Sequence, residues 1–150
     1  MSSFVKGGGV STPFGRNEYL RSTRNTQFES YTIAAATLPA RTIDGNPNQK
    51  ILQPGTVLAK ITSGGDAGKV GPFQAGATDG RQTAANIVGL NDTFLPWQLI
   101  ERDVEVGVLY HGTAVQAWCF EYDAGGNAIA LTNTTADAMR GTKGLDITFK

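Results

Sequence analysis

The chain has 150 residues with 13 basic and 13 acidic side chains, so its formal net charge is zero, and only 17% of its residues are charged. Neutrality supplies no long-range pull towards polyanions, so neither nucleic acid nor an acidic membrane surface is expected as a partner. The 19 glycines and the low charge point to one turn-rich β domain instead of a helical bundle or a disordered polyelectrolyte.

From Met1 to about Tyr31 the large apolar residues Phe4, Val5, Val10, Phe14, Tyr19, Leu20, Phe28 and Tyr31 are scattered among Gly, Ser, Thr, Asn and Arg. Neither helical nor strand periodicity holds, so this segment is expected to have no independent fold. Its aromatics either anchor in pockets on a partner or pack back onto the body. Lys6, Arg16, Arg21 and Arg24 outnumber Glu18 and Glu29, a weak basic excess suited to solvation or to an acidic docking surface. MSSFVKGGGVS lacks the apolar core of a secretory signal, no stretch is apolar enough to span a membrane, and the single cysteine gives no oxidising-compartment signal. Assembly in the cytoplasm is expected.

Thr32–Leu38 reads as a short strand or one helical turn closed by Pro39, and Asp44-Gly45-Asn46-Pro47 as a turn cluster. Residues 1–50 are therefore expected to form an extended arm and linker, and residues 51–150 a β-rich domain.

Pro54-Gly55 opens a strand over Gly55–Thr62, with Val57, Ala59 and Ile61 on one face and Leu58 on the other. Ser63–Gly68 is a loop, Lys69–Phe73 a short strand, and Asp79-Gly80 a tight turn before Thr83–Leu90. Leu95, Trp97 and Leu99 fall in a loop to which solvent is poorly suited. Val104, Val106 and Val108 alternate with Glu105 and Gly107 in a half-buried strand, and His111-Gly112 is expected to turn it into a hairpin with Thr113–Tyr122. Thr134 and Asp137 have capping-box-like spacing for a short helix ending at Gly141, and Leu145–Phe149 closes the chain as a strand. Asn91-Asp92-Thr93 and Asn133-Thr134-Thr135 match a glycosylation pattern but read as turns.

No catalytic set assembles. The single histidine, His111, lies at the expected turn, and Cys119 reads as a small apolar core residue. One His and one Cys cannot make a four-ligand structural zinc site. Gly64-Gly65-Asp66-Ala67-Gly68-Lys69-Val70 fails as a phosphate loop, because its glycines are too close and Val70 stands where a Ser or Thr is required. Asp79, Asp92, Glu101, Asp103 and Glu105 read as solvated carboxylates. No enzyme, metal or cofactor is expected.

The segments Pro54-Gly55-Thr56-Val57-Leu58, Lys69–Phe73 and Thr78-Asp79-Gly80-Arg81-Gln82-Thr83-Ala84 leading into Ile87-Val88-Gly89-Leu90 carry a combined signal. With the region around His111-Gly112 and the C-terminal ADAMRG and GLDITF, the body over roughly residues 50–149 resembles the lambda-like head decoration proteins of tailed bacteriophages. The arm here is longer than in the smallest members. The resemblance implies a mainly β, sandwich- or barrel-like domain with one short C-terminal helix and a long extended N-terminal arm. It implies a homotrimer on the outer surface of the virion head, with the major capsid protein as partner. Phe4, Val5, Phe14, Tyr19, Leu20, Phe28 and Tyr31 would then be the arm's capsid contacts, and Leu95, Trp97 and Leu99 the trimer contacts. A tail or surface-spike component built on the same body is the alternative.

Overall fold

The computed structural model describes residues 18–150. Its elements run β1 (Leu20–Ile33), β2 (Arg41–Ile43), β3 (Asn46–Gln49), β4 (Val57–Lys60), β5 (Val70–Pro72) and β6 (Ile87–Asn91). There follow α1 (Gln98–Glu101), β7 (Val104–Ala114), β8 (Phe120–Tyr122), β9 (Ala128–Ala130), α2 (Asn133–Arg140) and β10 (Asp146–Phe149). The protein is mainly β, with a mixed sheet and one short C-terminal helix.

The sheet closes on itself. β4 pairs antiparallel with β5 on one side and β6 on the other. β6 joins β7 through Leu90 opposite Leu109 and Asn91 opposite Val108. β1 runs antiparallel along β7 and touches β5 only through Ile33 opposite Val70, which completes the ring β7–β1–β5–β4–β6. Since β1 occupies one edge of β7, the other edge is shared: β6 takes Val108 and Leu109, and β10 pairs in parallel with His111–Ala114.

Period-two alternation builds two apolar clusters on opposite faces of this sheet. Val57 and Ala59 join Leu90, Leu109, Met139 and Phe149, whereas Leu58 joins Ile33, Val70, Leu99 and Val108. Each fully buried aliphatic side chain contributes about 1.5–3 kcal/mol of transfer free energy. The Pro54-Gly55 turn enters β4 with Gly55 at φ 88°, and a Cβ there would lie 2.9 Å from both Trp118 O and Tyr19 Cβ. Asp44 and Gly45 turn β2 into β3 with φ 51° and 79°, the left-handed pair of a two-residue hairpin. Asn46 and Pro47, expected in the turn, begin β3 instead.

Three expectations are corrected. The hairpin at His111-Gly112 does not form, because β1 and β10 both hold this stretch in the ladder and β7 runs straight through it. The chain turns later, at the 3-10 turn Gln116–Trp118, where Trp118 N–H donates to Val115 O at 3.0 Å. The domain boundary at residue 50 is displaced as well. Tyr19, Ile33, Ala34 and Leu38 are core residues and β1 pairs along β7, so residues 19–50 belong to the body as well. Third, the helix cap is Thr132, whose hydroxyl accepts from Thr135 N–H at 3.3 Å. Buried Glu121 accepts from Thr132 N–H, Thr132 Oγ1–H and Thr135 Oγ1–H at 2.8, 2.9 and 3.0 Å, tying α2 to β8.

Candidate interaction surface

β1 is exposed at every position from Gln27 to Ser30 and has one edge turned outwards. Among the described residues no strand pairs with its outer edge before Ile33, so a row of main-chain donors and acceptors stays available to an added strand. The row is interrupted. Ser22 faces Thr113 and Gln27 faces His111, so Thr23, Arg24, Asn25 and Thr26 stand opposite Gly112 alone and bulge outwards. Asn25 takes φ 57°, Thr26 Oγ1–H donates to Thr23 O at 3.1 Å, and Arg24 N–H donates to Ser22 Oγ at 3.1 Å. His111 pins the bulge: Nδ1 lies 2.6 Å from Asn25 O, and Nε2 lies 3.1 Å from the Asp146 carboxylate. The register slips once more between Gln27 and Phe28, so the regular part of the edge is Phe28–Thr32.

The residues expected as arm contacts divide. Phe4, Val5 and Phe14 lie outside the described residues. Phe28 is 43% exposed on the regular edge. Tyr31 is half-buried against the cluster around Val106, and burial, followed by the neighbouring Glu29 charge, raises its phenol. Leu20 packs partly against the other cluster. Tyr19 is a correction: it is 1% exposed, and its hydroxyl donates to Asp92 at 2.5 Å, so it belongs to the core and not to an anchor.

The expected trimer contacts divide in the same way. Leu95 and Leu99 are fully inside, because β-bridge pairing of Leu95 with Leu52 and the short helix α1 turn both side chains into the second cluster. Neither can face a neighbouring subunit. Trp97 is 50% exposed and shares a helical turn with Ile100, 42% exposed, through Ile100 N–H donating to Trp97 O at 3.0 Å. Sequence reasoning passed over Ile100 and Trp118, which is 51% exposed at the 3-10 turn beside Gly55.

Polar chemistry elsewhere is structural. Lys69 bridges Asp66 and Asp103 at 2.9 and 2.5 Å, and Arg81 Nε holds Asp79 while its Nη1 donates to Pro72 O at 3.1 Å. The Gly64–Lys69 loop is closed by these contacts. Burial pushes the Cys119 thiol up to about 12, which keeps it protonated and donating to Val115 O. Among the described residues no group of three His, Cys, Asp or Glu side chains is placed to hold a metal ion. No family model, curated protein or solved structure matches the chain.

Proposed function

We propose that this protein decorates the outer surface of a tailed-phage head, binding the major capsid protein as a homotrimer and cementing neighbouring shell subunits. The observation that carries the reading is the outer edge of β1, which no strand among the described residues pairs before Ile33, with Phe28 exposed on it. A strand already held in a closed barrel is offered for pairing, so only the added segment pays an ordering cost. The segments that carry the family resemblance support it too, since Val57–Lys60, Val70–Pro72 and Ile87–Asn91 are adjacent strands of one wall. Trp97 and Ile100 supply an apolar patch for self-association.

A ligand that binds only the assembled shell stabilises it by mass action, and three linked copies multiply weak contacts. The test adds purified protein to expanded, undecorated heads, with purified tails as a parallel arm, and measures bound copies by sedimentation and shell melting by calorimetry. Saturable binding to heads with a raised shell melting temperature is expected, and Phe28→Ala should weaken it roughly tenfold. Binding to tails but not to heads would replace this reading with that of a tail component.

A further inference from the structure

The ribbon β2–β3 and the ribbon β8–β9 face one another across a cleft of about 280 Å³. Leu38, Ile43 and Ile51 give it an aliphatic lining, and Arg41 closes one side, its Nη2 donating to Gly126 O at 2.5 Å and Gly125 O at 3.3 Å. Tyr122 forms part of the wall and is 7% exposed, yet its hydroxyl has no hydrogen-bond partner among the described residues. Nε and Nη1 of Arg41 likewise have no acceptor among the described residues. Burial raises the Tyr122 phenol, with Arg41 opposing, so the proton stays on and the hydroxyl is a donor.

Two donors beside an aliphatic floor specify a hydrogen-bond acceptor attached to an apolar group. Neighbouring Asp123 offsets the Arg41 charge, which suits a neutral carbonyl better than a carboxylate or phosphate. The cleft is also flanked by open main-chain edges, since among the described residues β2 pairs only with β3 and β9 only with β8. Open edges favour an extended chain over a compact small molecule.

We infer that this cleft receives an extended segment of a partner protein, one aliphatic side chain entering beside Leu38, Ile43 and Ile51 while a main-chain carbonyl accepts from Tyr122 and Arg41. The identity of that partner as a head-shell subunit rests on the proposed decoration function. The cleft's chemistry does not.

The first arm titrates N-acetyl-leucine N-methylamide into isotope-labelled full-length protein, with N-acetyl-glycine N-methylamide as control. Shifts confined to Ile43, Ile51, Tyr122 and Ala128 are expected for the leucine probe, at an affinity roughly three- to tenfold weaker in Tyr122→Phe, the value of one neutral hydrogen bond. Because the hydroxyl has no protein partner, Tyr122→Phe should melt no lower than wild type, which separates binding from folding. Absence of these shifts, or equal shifts with both probes, overturns the inference. The second arm measures binding of wild type, Tyr122→Phe and the cleft-filling Ile43→Trp to expanded heads. Weaker binding by both variants supports the inference with its shell partner, and unchanged binding overturns the cleft as a shell contact while leaving decoration standing. If wild type ignores heads but the leucine probe still binds, the decoration reading fails and the cleft serves another protein.

Discussion

Tyr19 Oη donates to Asp92 at 2.5 Å across 73 residues of sequence, joining the chain just before β1 to the residue just after β6. The ring of Tyr19 lies inside the cluster formed with Leu109, Cys119 and Phe149. A hydrogen bond to a charged acceptor contributes about 1.5–3 kcal/mol, and truncating a buried aromatic to alanine costs about 3–5 kcal/mol. Tyr19→Phe should lose the smaller amount and Tyr19→Ala the larger in urea unfolding. An Ala variant as stable as wild type would mean that the barrel does not need this residue.

Burial raises the Asp92 carboxyl, with the Tyr19 hydrogen bond opposing. Its contribution to stability is therefore complete below the ordinary carboxylate range and declines as pH rises through the elevated folded value. Asp103 runs the other way. The Lys69 hydrogen bond first, then Ala35 N–H, lower its carboxyl, so its contribution is present above the ordinary range and lost as pH falls through the lowered value. Denaturation midpoints measured from neutral pH down through the carboxylate range should fall less on acidification in Asp103→Asn than in wild type. Asp92→Asn should fall more.

Gly89 sits in β6 at φ 144°, where a Cβ would lie 2.1 Å from the Leu109 carbonyl oxygen. Nothing flexible can yield, because the obstacle is backbone of the partner strand. Gly89→Ala should cost more than 3 kcal/mol or so, beyond the usual range for a glycine in a strand. Gly45→Ala, with open space around it but φ 79°, should cost roughly 1 kcal/mol. Thermal melting of the two variants gives the order directly.

The sheet wall β5–β4–β6 was legible because turn chemistry and apolar alternation coincide there: Pro54-Gly55 and Asp79-Gly80 bracket runs whose Val57 and Leu58 do face opposite clusters. β1 was not legible. An edge strand with a bulge at Thr23–Thr26 and consecutive exposed residues over Gln27–Ser30 has no apolar period to read, so its pairing with β7 is fixed only by the partner. His111-Gly112 misled for the opposite reason, since local turn chemistry is overridden when both edges of the strand are occupied. Of the residues expected as contacts, Phe28 and Trp97 are exposed in the fold, whereas Tyr19, Leu95 and Leu99, grouped with them by local sequence, are buried. The cleft was beyond local signals, because Arg41 and Tyr122 meet only through the facing of two separate ribbons.

Trp97 and Leu99 lie two positions apart but do different work: one is half exposed, the other fully buried. Leu99→Ala should lower stability by about 2–5 kcal/mol as a core cavity. Trp97→Ser should leave unfolding within about 0.5 kcal/mol of wild type and shift sedimentation towards the monomer. A Trp97→Ser protein that sediments like wild type at every concentration would remove this patch from self-association.

The position of Tyr19 also decides where the chain can be shortened. A protein lacking residues 2–28 loses Tyr19 from the core together with the stretch Leu20–Phe28 that pairs with Leu109–Ala114. Without that stretch, one edge of β7 is stripped over half its length, and the cluster around Leu109 opens beneath it. Loss of a cooperative melting transition is expected for this truncation, so its failure to bind heads would say nothing about the arm. A protein lacking residues 2–17 retains every strand pair and core contact of the described fold, and its melting beside that of the full chain measures what the removed residues add to stability. Binding of this shorter truncation to expanded heads then separates the two contributors. Equal binding would assign the contacts to the barrel, with Phe28 and the β1 edge as the first to mutate, whereas weakened binding by a fully folded protein would assign part of the affinity to the removed residues.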